Sequence, residues 1–368
     1  MARVSIVSTT PGLQAALAEA LDLVGGLGAY VGRGDRVLIK PNLNGAEGFT
    51  SPALTAALVQ SLRAHGVRRV ALAESTFGTA ATTDRLFDET GYTQLARELD
   101  VPLINLNRSE AVEVAVPQPL ALESIHIARE VLEADRLINV PNLKVHYATG
   151  ITAAMKNLKG VLVGGEKRRF HEVGLDRAIA DLNCVVAPAL NVVDAICGME
   201  RMGPRGGDPV ELNLILAGAP AAAVDWVAAQ VIGFQPAEIG HLSAYPERTG
   251  FDPASIVMAG EPVASVRRPF ARARVEAIVP ACFTVRDGGA CSACMNAFLL
   301  SCQFLQGMPD REVEVLLGPR AAGSGGGAAR IAFGTCCPPA AAAELRIAGC
   351  PPYPFDLEKA LVRAGWSG

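Results

Sequence analysis

Short apolar runs alternate with stretches carrying apolar residues three and four apart through the first 265 positions. Residues 4–8 form the first run and predict a strand. Leu13, Leu17, Leu21 and Val24 then recur at helical spacing, and Gly25-Gly26 ends that helix. Residues 36–40 predict a second strand, launched from the turn Gly32-Arg33-Gly34-Asp35. Ser51 as N-cap and Pro52 as first helical residue open a helix that runs to His65 and stops at Gly66. Residues 69–74 predict the next strand. Further core strands are expected at 136–140, 190–193 and 212–217, with helices near 179–186 and 221–232. This alternation predicts an α/β fold with a mixed, mainly parallel sheet covered by helices.

The rhythm weakens over 263–281, where Arg267, Arg268, Arg272 and Arg274 crowd together and cysteines follow. A boundary near residue 270 is expected, between an α/β domain (1–270) and a smaller cysteine-rich α+β module (271–368). In the module, 295–305 reads as a helix. The glycine-rich 321–327 reads as a flexible loop in a hairpin-like connection between strands at 313–317 and 331–333.

Half of the 368 residues are apolar and 19% are charged, so the chain can bury a large core and is not a disordered one. Lys and Arg (33) nearly balance Asp and Glu (37), which removes bulk attraction to nucleic acid or an anionic membrane. Every apolar run is interrupted short of the ~20 residues a spanning helix needs. The N-terminus reads as a strand, not a secretory signal, and the expected location is the cytoplasm.

Cysteine sharpens this picture. None of the nine precedes Cys184, and seven fall between Cys282 and Cys350. In a reducing compartment such clustering points to metal or redox chemistry more than to crosslinks. Cys291-Ser292-Ala293-Cys294 can turn two sulfurs towards one metal or cluster. With Cys350 and one of the adjacent pair Cys336 and Cys337, it supplies the four thiolates of a [4Fe–4S] cubane. The expected ligands are Cys291, Cys294, Cys337 and Cys350, with Cys336 as the alternative to Cys337. A Cys₄ zinc site, a redox dithiol and plain packing are the rival readings. Cys184, Cys197, Cys282 and Cys302 read as packing residues.

Polar residues of the first domain cluster at predicted strand ends, where open α/β sheets bind ligands. Lys40, Asn42 and Asn44 follow one strand directly, and residues 139–160 are the densest polar stretch. Thr149 and Gly150 are expected to start a helix whose free amides favour a carboxylate or phosphate. Lys144, His146 and Lys156 could converge on that ligand as catalytic groups, His146 being the best general acid or base. Asn157, His171 and Asp194 complete the expected substrate site. Asp194 and Asp225 are each read equally well as turn or helix caps. No phosphate-binding loop and no dinucleotide fingerprint is present.

Together these segments resemble the domain-of-unknown-function-362 family. The matching residues are 34–42, 139–146 with Thr149-Gly150, 155–160, Phe170-His171, Asp194, Gly203-Pro204, Gly206-Gly207 and Asp225. Many members carry an iron–sulfur module, often with closely spaced cysteines; this chain has dispersed ones instead. Gly349-Cys350-Pro351-Pro352 is similar to a cysteine segment of cluster-bearing small subunits of hydrogenases and quinone oxidoreductases. The resemblance implies a [4Fe–4S] cluster more firmly than any reaction. The expected function is a cluster-dependent redox enzyme acting on a small anionic organic substrate. The alternatives are a non-redox dehydratase or lyase with an open iron, and a non-catalytic electron carrier. The expected partners are that substrate and an electron-donor protein, with a homo-oligomer admitted and nucleic acid and membrane excluded.

Overall fold

In the computed structural model, strands form wherever the apolar runs call for them. It describes all residues except 204–205, 325–327, 340 and 367–368, and not the side chains of Glu247 and Arg248. Two compact units result, Met1–Ala273 and Arg274–Gly368.

The first unit is built on β1 (Arg3–Ser8), β2 (Arg36–Pro41), β3 (Arg69–Glu74) and β4 (Leu103–Asn105). A separate antiparallel pair, β5 (Ala111–Ala115) and β6 (Ser124–Ala128), follows. The sheet is completed by β7 (Arg136–Val140), β8 (Asn142–His146), β9 (Gly150–Thr152), β10 (Leu190–Glu200), β11 (Asp208–Ala219) and β12 (Val257–Gly260). The strand order is β12-β1-β11-β10-β7-β2-β3-β4, with β8 on β10 and β9 on β8. Pairing is parallel throughout the run from β10 to β4, and antiparallel where β11 meets β10 and β1.

Alternation along each strand sends side chains to two separate cores. Val37 and Ile39 pack with Leu17, Leu54 and Leu58 of the helices Leu13–Leu23 and Pro52–His65. Leu38 faces the other way, towards Ile179 and Val224 of the helices Leu175–Val185 and Ala221–Val231. Gly66 ends the Pro52–His65 helix in the left-handed region, at φ 102°. β10 and β11 outrun their apolar signals because they continue as a bulged antiparallel ribbon beyond the residues that pair with β7.

The second unit has β13 (Phe283–Asp287), β14 (Val313–Leu317), β15 (Ala329–Phe333) and β16 (Leu345–Ile347), in that order and all parallel. The helices Ser292–Gln303 and Asp356–Arg363 bury Phe298, Leu357 and Leu361 against this sheet. The hairpin expected between β14 and β15 is therefore absent. Val313 pairs with Ala329 and Leu317 with Phe333, so the two strands run in the same direction. The module expected to be α+β has a wholly parallel sheet.

Leu58 is fully buried between the first sheet and its covering helices. Leu58→Ala should lower stability by about 2–5 kcal/mol, read as a shifted midpoint in urea unfolding at unchanged slope.

Candidate functional site

A polar row crosses the sheet of the first unit at the carboxyl ends of its strands. Register places Lys40 beside Asn139, Asn139 beside Asn191, and Asn191 beside Gly218. All three side chains are buried, so each needs a partner. Asn139 Nδ2 donates to Asn191 Oδ1 at 2.9 Å and to the Ala154 carbonyl, while Asn191 Nδ2 donates to the Gly218 carbonyl. Asn157 bridges the row from above, donating to Asn139 Oδ1 (2.8 Å) and accepting from Lys40 Nζ (3.1 Å) and Asn42 Nδ2 (2.8 Å). Lys144 Nζ donates to Asn42 Oδ1 at 2.9 Å.

Glu74, at the end of β3, makes the ion pair at the base of this network. Its Oε2 lies 3.0 Å from Lys40 Nζ, both groups almost wholly buried. Burial lowers the Lys40 ammonium and raises the Glu74 carboxyl, and their mutual attraction opposes both shifts. Gly160 lies directly against this pair. A Cβ there would stand 2.5 Å from Lys40 Nζ and collide with Glu74 Oε1.

Beyond the pair lies a ring of cationic groups. Lys144 and His146 share one face of β8, and the β8–β9 hairpin sets Thr152 opposite Lys144. Lys156 Nζ donates to Thr152 Oγ1 at 2.9 Å, and Lys159 Nζ lies 2.9 Å from His171 Nε2. His146 sits within the field of all of them. Burial first, then the charges of Lys156, Lys159, His171 and Lys144, hold its imidazolium well below the ordinary range. Its Nδ1 accepts the Ala148 N–H at 3.1 Å, which leaves the neutral ring's hydrogen on Nε2. Burial and the ammonium groups of Lys159 and Lys156 push His171 down to about 2. Lys156 is lowered strongly by burial, then by Lys159 and Lys144. Lys159 and Lys167 are each lowered to about 7, chiefly by burial.

Lys144, His146, Lys156 and His171 thus come together, with Lys40, Asn42 and Asn157 supporting them from beneath. Asp194 stands nearby on β10, where burial raises it to about 6 against hydrogen bonds from the Ser51 and Ile196 amides and the charge of Lys144. Asn44 and Thr149 hydrogen-bond to backbone groups instead of to the ring. Asn44 Oδ1 accepts the Phe77 N–H, and Thr149 Oγ1 donates to the Ile151 carbonyl.

The helix start expected at Thr149 and Gly150 is also overturned. Gly150, at φ 74°, turns the chain into β9, and the next helix begins only at Ala154. Its first amides, Ala154 N–H and Met155 N–H, donate to Asp225 at 2.5 and 2.9 Å, so they are not free to bind an anion. Asp225 is therefore a cap.

Glu74, Lys159 and Lys167 are not among the expected site residues, although Glu74 ends a predicted strand and Lys167 opens a basic run before His171. Lys159 was findable, since it follows Lys156 by three positions and shares its side of the turn. Sequence reasoning also missed Asp176 and His241, which nothing local connects. His241 is wholly buried, with Nδ1 2.8 Å from Asp176 Oδ1 and, among the described residues, no hydrogen-bond partner for Nε2. A separate hollow of about 480 Å³ opens at the other end of the sheet, near Tyr30, Arg136 and Val186. Its charges are already matched, Asp135 by Arg36 and Arg136 by Asp35.

In the second unit, four thiols gather from three segments. The Cys294 thiol is pushed far up by its hydrogen bond with Cys291, by burial, and by the negative charge that Cys291, Cys336 and Cys350 would carry. The Thr335 N–H donates to the Gly349 carbonyl and the Gly349 N–H to Thr335 Oγ1, both at 2.9 Å, which ties the Cys336 and Cys350 loops together. Gly334, at φ 103°, lets the chain pass close: a Cβ there would lie 3.2 Å from Cys294 Sγ and 3.9 Å from Cys336 Sγ. Cys337 turns the other way, into an apolar cluster with Leu316, Ala332 and Ala341. Of the adjacent pair, it is Cys336 that faces Cys294, not the Cys337 expected. Cys302 is buried in the core beneath the helix Ser292–Gln303. Among the described residues, no three His, Cys, Asp or Glu side chains are set to hold a metal ion.

An α/β protein with a buried cationic site at the carboxyl ends of its strands is thus defined, and its relatives place it in a family. Residues 37–230, which include the whole cationic ring and stop short of the cysteine-rich unit, match the domain of unknown function DUF362. The thylakoid-associated protein sll1697 of Synechocystis sp. is 31% identical over 254 residues, or 66% of this chain and 77% of that protein. The chain belongs to the DUF362 family. The lactate racemase apoprotein from Thermoanaerobacterium thermosaccharolyticum superposes with a TM-score of 0.43 at 11% identity, over 91% of this chain and 69% of that one. That likeness is too distant to bear on the site. Among the described residues no helix is long and apolar enough to cross a membrane.

Two outcomes test the electrostatics. Gly160→Ala should break the Lys40–Glu74 pair and cost about 3–5 kcal/mol in urea unfolding, the magnitude expected for a disrupted buried pair. Between pH 7 and 9 the folded protein holds fewer protons on Lys159 and Lys167 than an unfolded chain, whose lysines titrate at 10.5. Stability should therefore rise with pH across that window, and a falling profile would mean these ammonium groups are stabilised by folding.

Proposed function

We propose that this protein is an iron–sulfur-dependent enzyme of the redox class, acting on a small anionic organic substrate held in the cationic ring. The observation that carries the reading is the gathering of Cys291, Cys294, Cys336 and Cys350 in the second unit. A [4Fe–4S] cubane takes one thiolate at each iron, so its ligands surround it and need not meet at a point. Four thiols from three segments, with Gly334 leaving space between Cys294 and Cys336, suit that arrangement. Cys336 replaces Cys337 in the assignment because Cys337 is spent on packing. When bound, the cluster supplies one-electron transfer, and an electron-donor protein would be its partner.

The chain's own residues hold the substrate and its proton. Lys144, Lys156 and Lys159 face the substrate's negative charge, with Asn42 Oδ1, Thr152 Oγ1 and His171 Nε2 as neutral partners. His146, neutral and carrying its hydrogen on Nε2, donates from that atom to a substrate oxygen. Burial, reinforced by its cationic neighbours, keeps it uncharged across the physiological range, so it polarises without adding a further cation. His171 and Lys159 close the far side of the ring.

Anaerobically purified protein should be brown, with about four irons per chain. Cys336→Ala should lose the chromophore and Cys337→Ala should keep it. Colourless protein binding one zinc would reject the reading, and loss of colour on removing Cys337 alone would reject the ligand assignment. Lys144→Ala should retain full iron content while losing the thermal stabilisation that anions give the parent protein.

A further inference from the structure

We propose that the cationic ring selects a dianion, a ligand with two negative charges as in a phosphate monoester or a dicarboxylate, and that binding it draws protons onto the protein. This rests on the ring being the substrate site and is independent of the cluster.

The argument is a balance of charge. Five lysines are electrostatically linked in one region: Lys40 on β2, Lys144 on β8, Lys156 and Lys159 on the turn after β9, and Lys167 on the helix Glu166–Val173. His146 and His171 lie among them. The carboxylates that face this group are Glu74 on β3, Asp194 on β10 and Asp176 on the helix Leu175–Val185. With every lysine protonated, three carboxylates against five ammonium groups leave two positive charges to be met, and without a ligand Lys159 and Lys167, at about 7, relieve part of that surplus by releasing protons.

The carboxylates are also committed elsewhere. Glu74 is in contact with Lys40. Asp194 accepts two backbone amides, and Asp176 accepts both the ring nitrogen and the backbone N–H of His241. The bonds made by Lys156 and Lys159 go to neutral atoms, Thr152 Oγ1 and His171 Nε2. Neither forms a salt bridge with any described residue. These two side chains are partly exposed, whereas Lys40, Lys144 and Lys167 are buried. The surplus charge therefore sits where a ligand can reach it.

A monoanion would satisfy one ammonium and leave the other uncompensated, an arrangement that disfavours its binding unless that lysine gives up its proton. A dianion offsets both. Because Lys159 is held at about 7 without a ligand, a bound dianion restores its proton and the protein takes up hydrogen ions as it binds. The N-terminus of the helix that begins at Ala154 does not contribute, since Asp225 already occupies it.

Titration calorimetry on the full-length protein would use inorganic phosphate, malonate, acetate and chloride at pH 7.5, in two buffers of different ionisation enthalpy. Phosphate, malonate or both should bind at least tenfold more tightly than acetate and chloride, with net proton uptake. Preference for phosphate alone would indicate a phosphate monoester as the natural ligand, and preference for malonate a dicarboxylate. Lys156→Met should bring dianion and acetate affinities to within threefold of each other without lowering the thermal midpoint of the ligand-free protein. Acetate binding as tightly as both dianions would overturn the proposal while leaving the anion site standing. If none of the four bound, the anionic-substrate reading would fall as well. Dianion binding without proton uptake would refute the linkage.

Discussion

The first unit is organised around the problem of keeping ammonium groups inside a protein. Lys40 emerges from the middle of a parallel sheet on the same side as Leu38, where an unpaired charge would be intolerable. Glu74 from the neighbouring strand neutralises it, and Asn157 and the Pro41 carbonyl take its remaining hydrogens. From that fixed point a chain of amides runs outward through Asn42 to Lys144 and sideways through Asn139 to Asn191. Each amide both donates and accepts, so every member has its orientation set by the next. The ring around His146 is positioned by this scaffold.

Much of the fold was legible because two periodicities are physically distinct. Period two along β2 separates Val37 and Ile39 from Leu38, and the helical spacing of Leu13, Leu17 and Leu21 matches the helix found there. What failed was direction and continuity. A glycine-rich loop signals that the chain turns, not which way the next strand runs, so β14 and β15 looked like a hairpin when they are parallel. Thr149-Gly150 has the composition of a helix start, but a strand of only three residues follows, too short to leave a periodic trace.

The site was legible in part for a related reason. Lys144, His146 and Lys156 stood out by lying near strand ends in one dense polar stretch. Lys159 and Lys167 were not chosen, because a surface lysine, alone or in a basic run such as 167–169, is ordinarily solvated and only tertiary packing reveals otherwise. Adjacent cysteines pose the same difficulty on a smaller scale. Cys336 and Cys337 are chemically identical in sequence, and the backbone turn at Gly334 decides which meets Cys294 and which enters the apolar cluster. Asp176 and His241 are separated by 65 positions and paired only by the packing of two helices.

Asp225 reaches from the second turn of the helix Ala221–Val231 to grip the amides that begin the segment bearing Lys156 and Asn157. Helix and lysine-bearing segment are thereby yoked, like a handle and its blade. A substitution that slid the helix by a fraction of an ångström would carry both side chains with it. Core residues such as Val227 or Ala228 on the packed flank of that helix in this way govern where Lys156 and Asn157 stand.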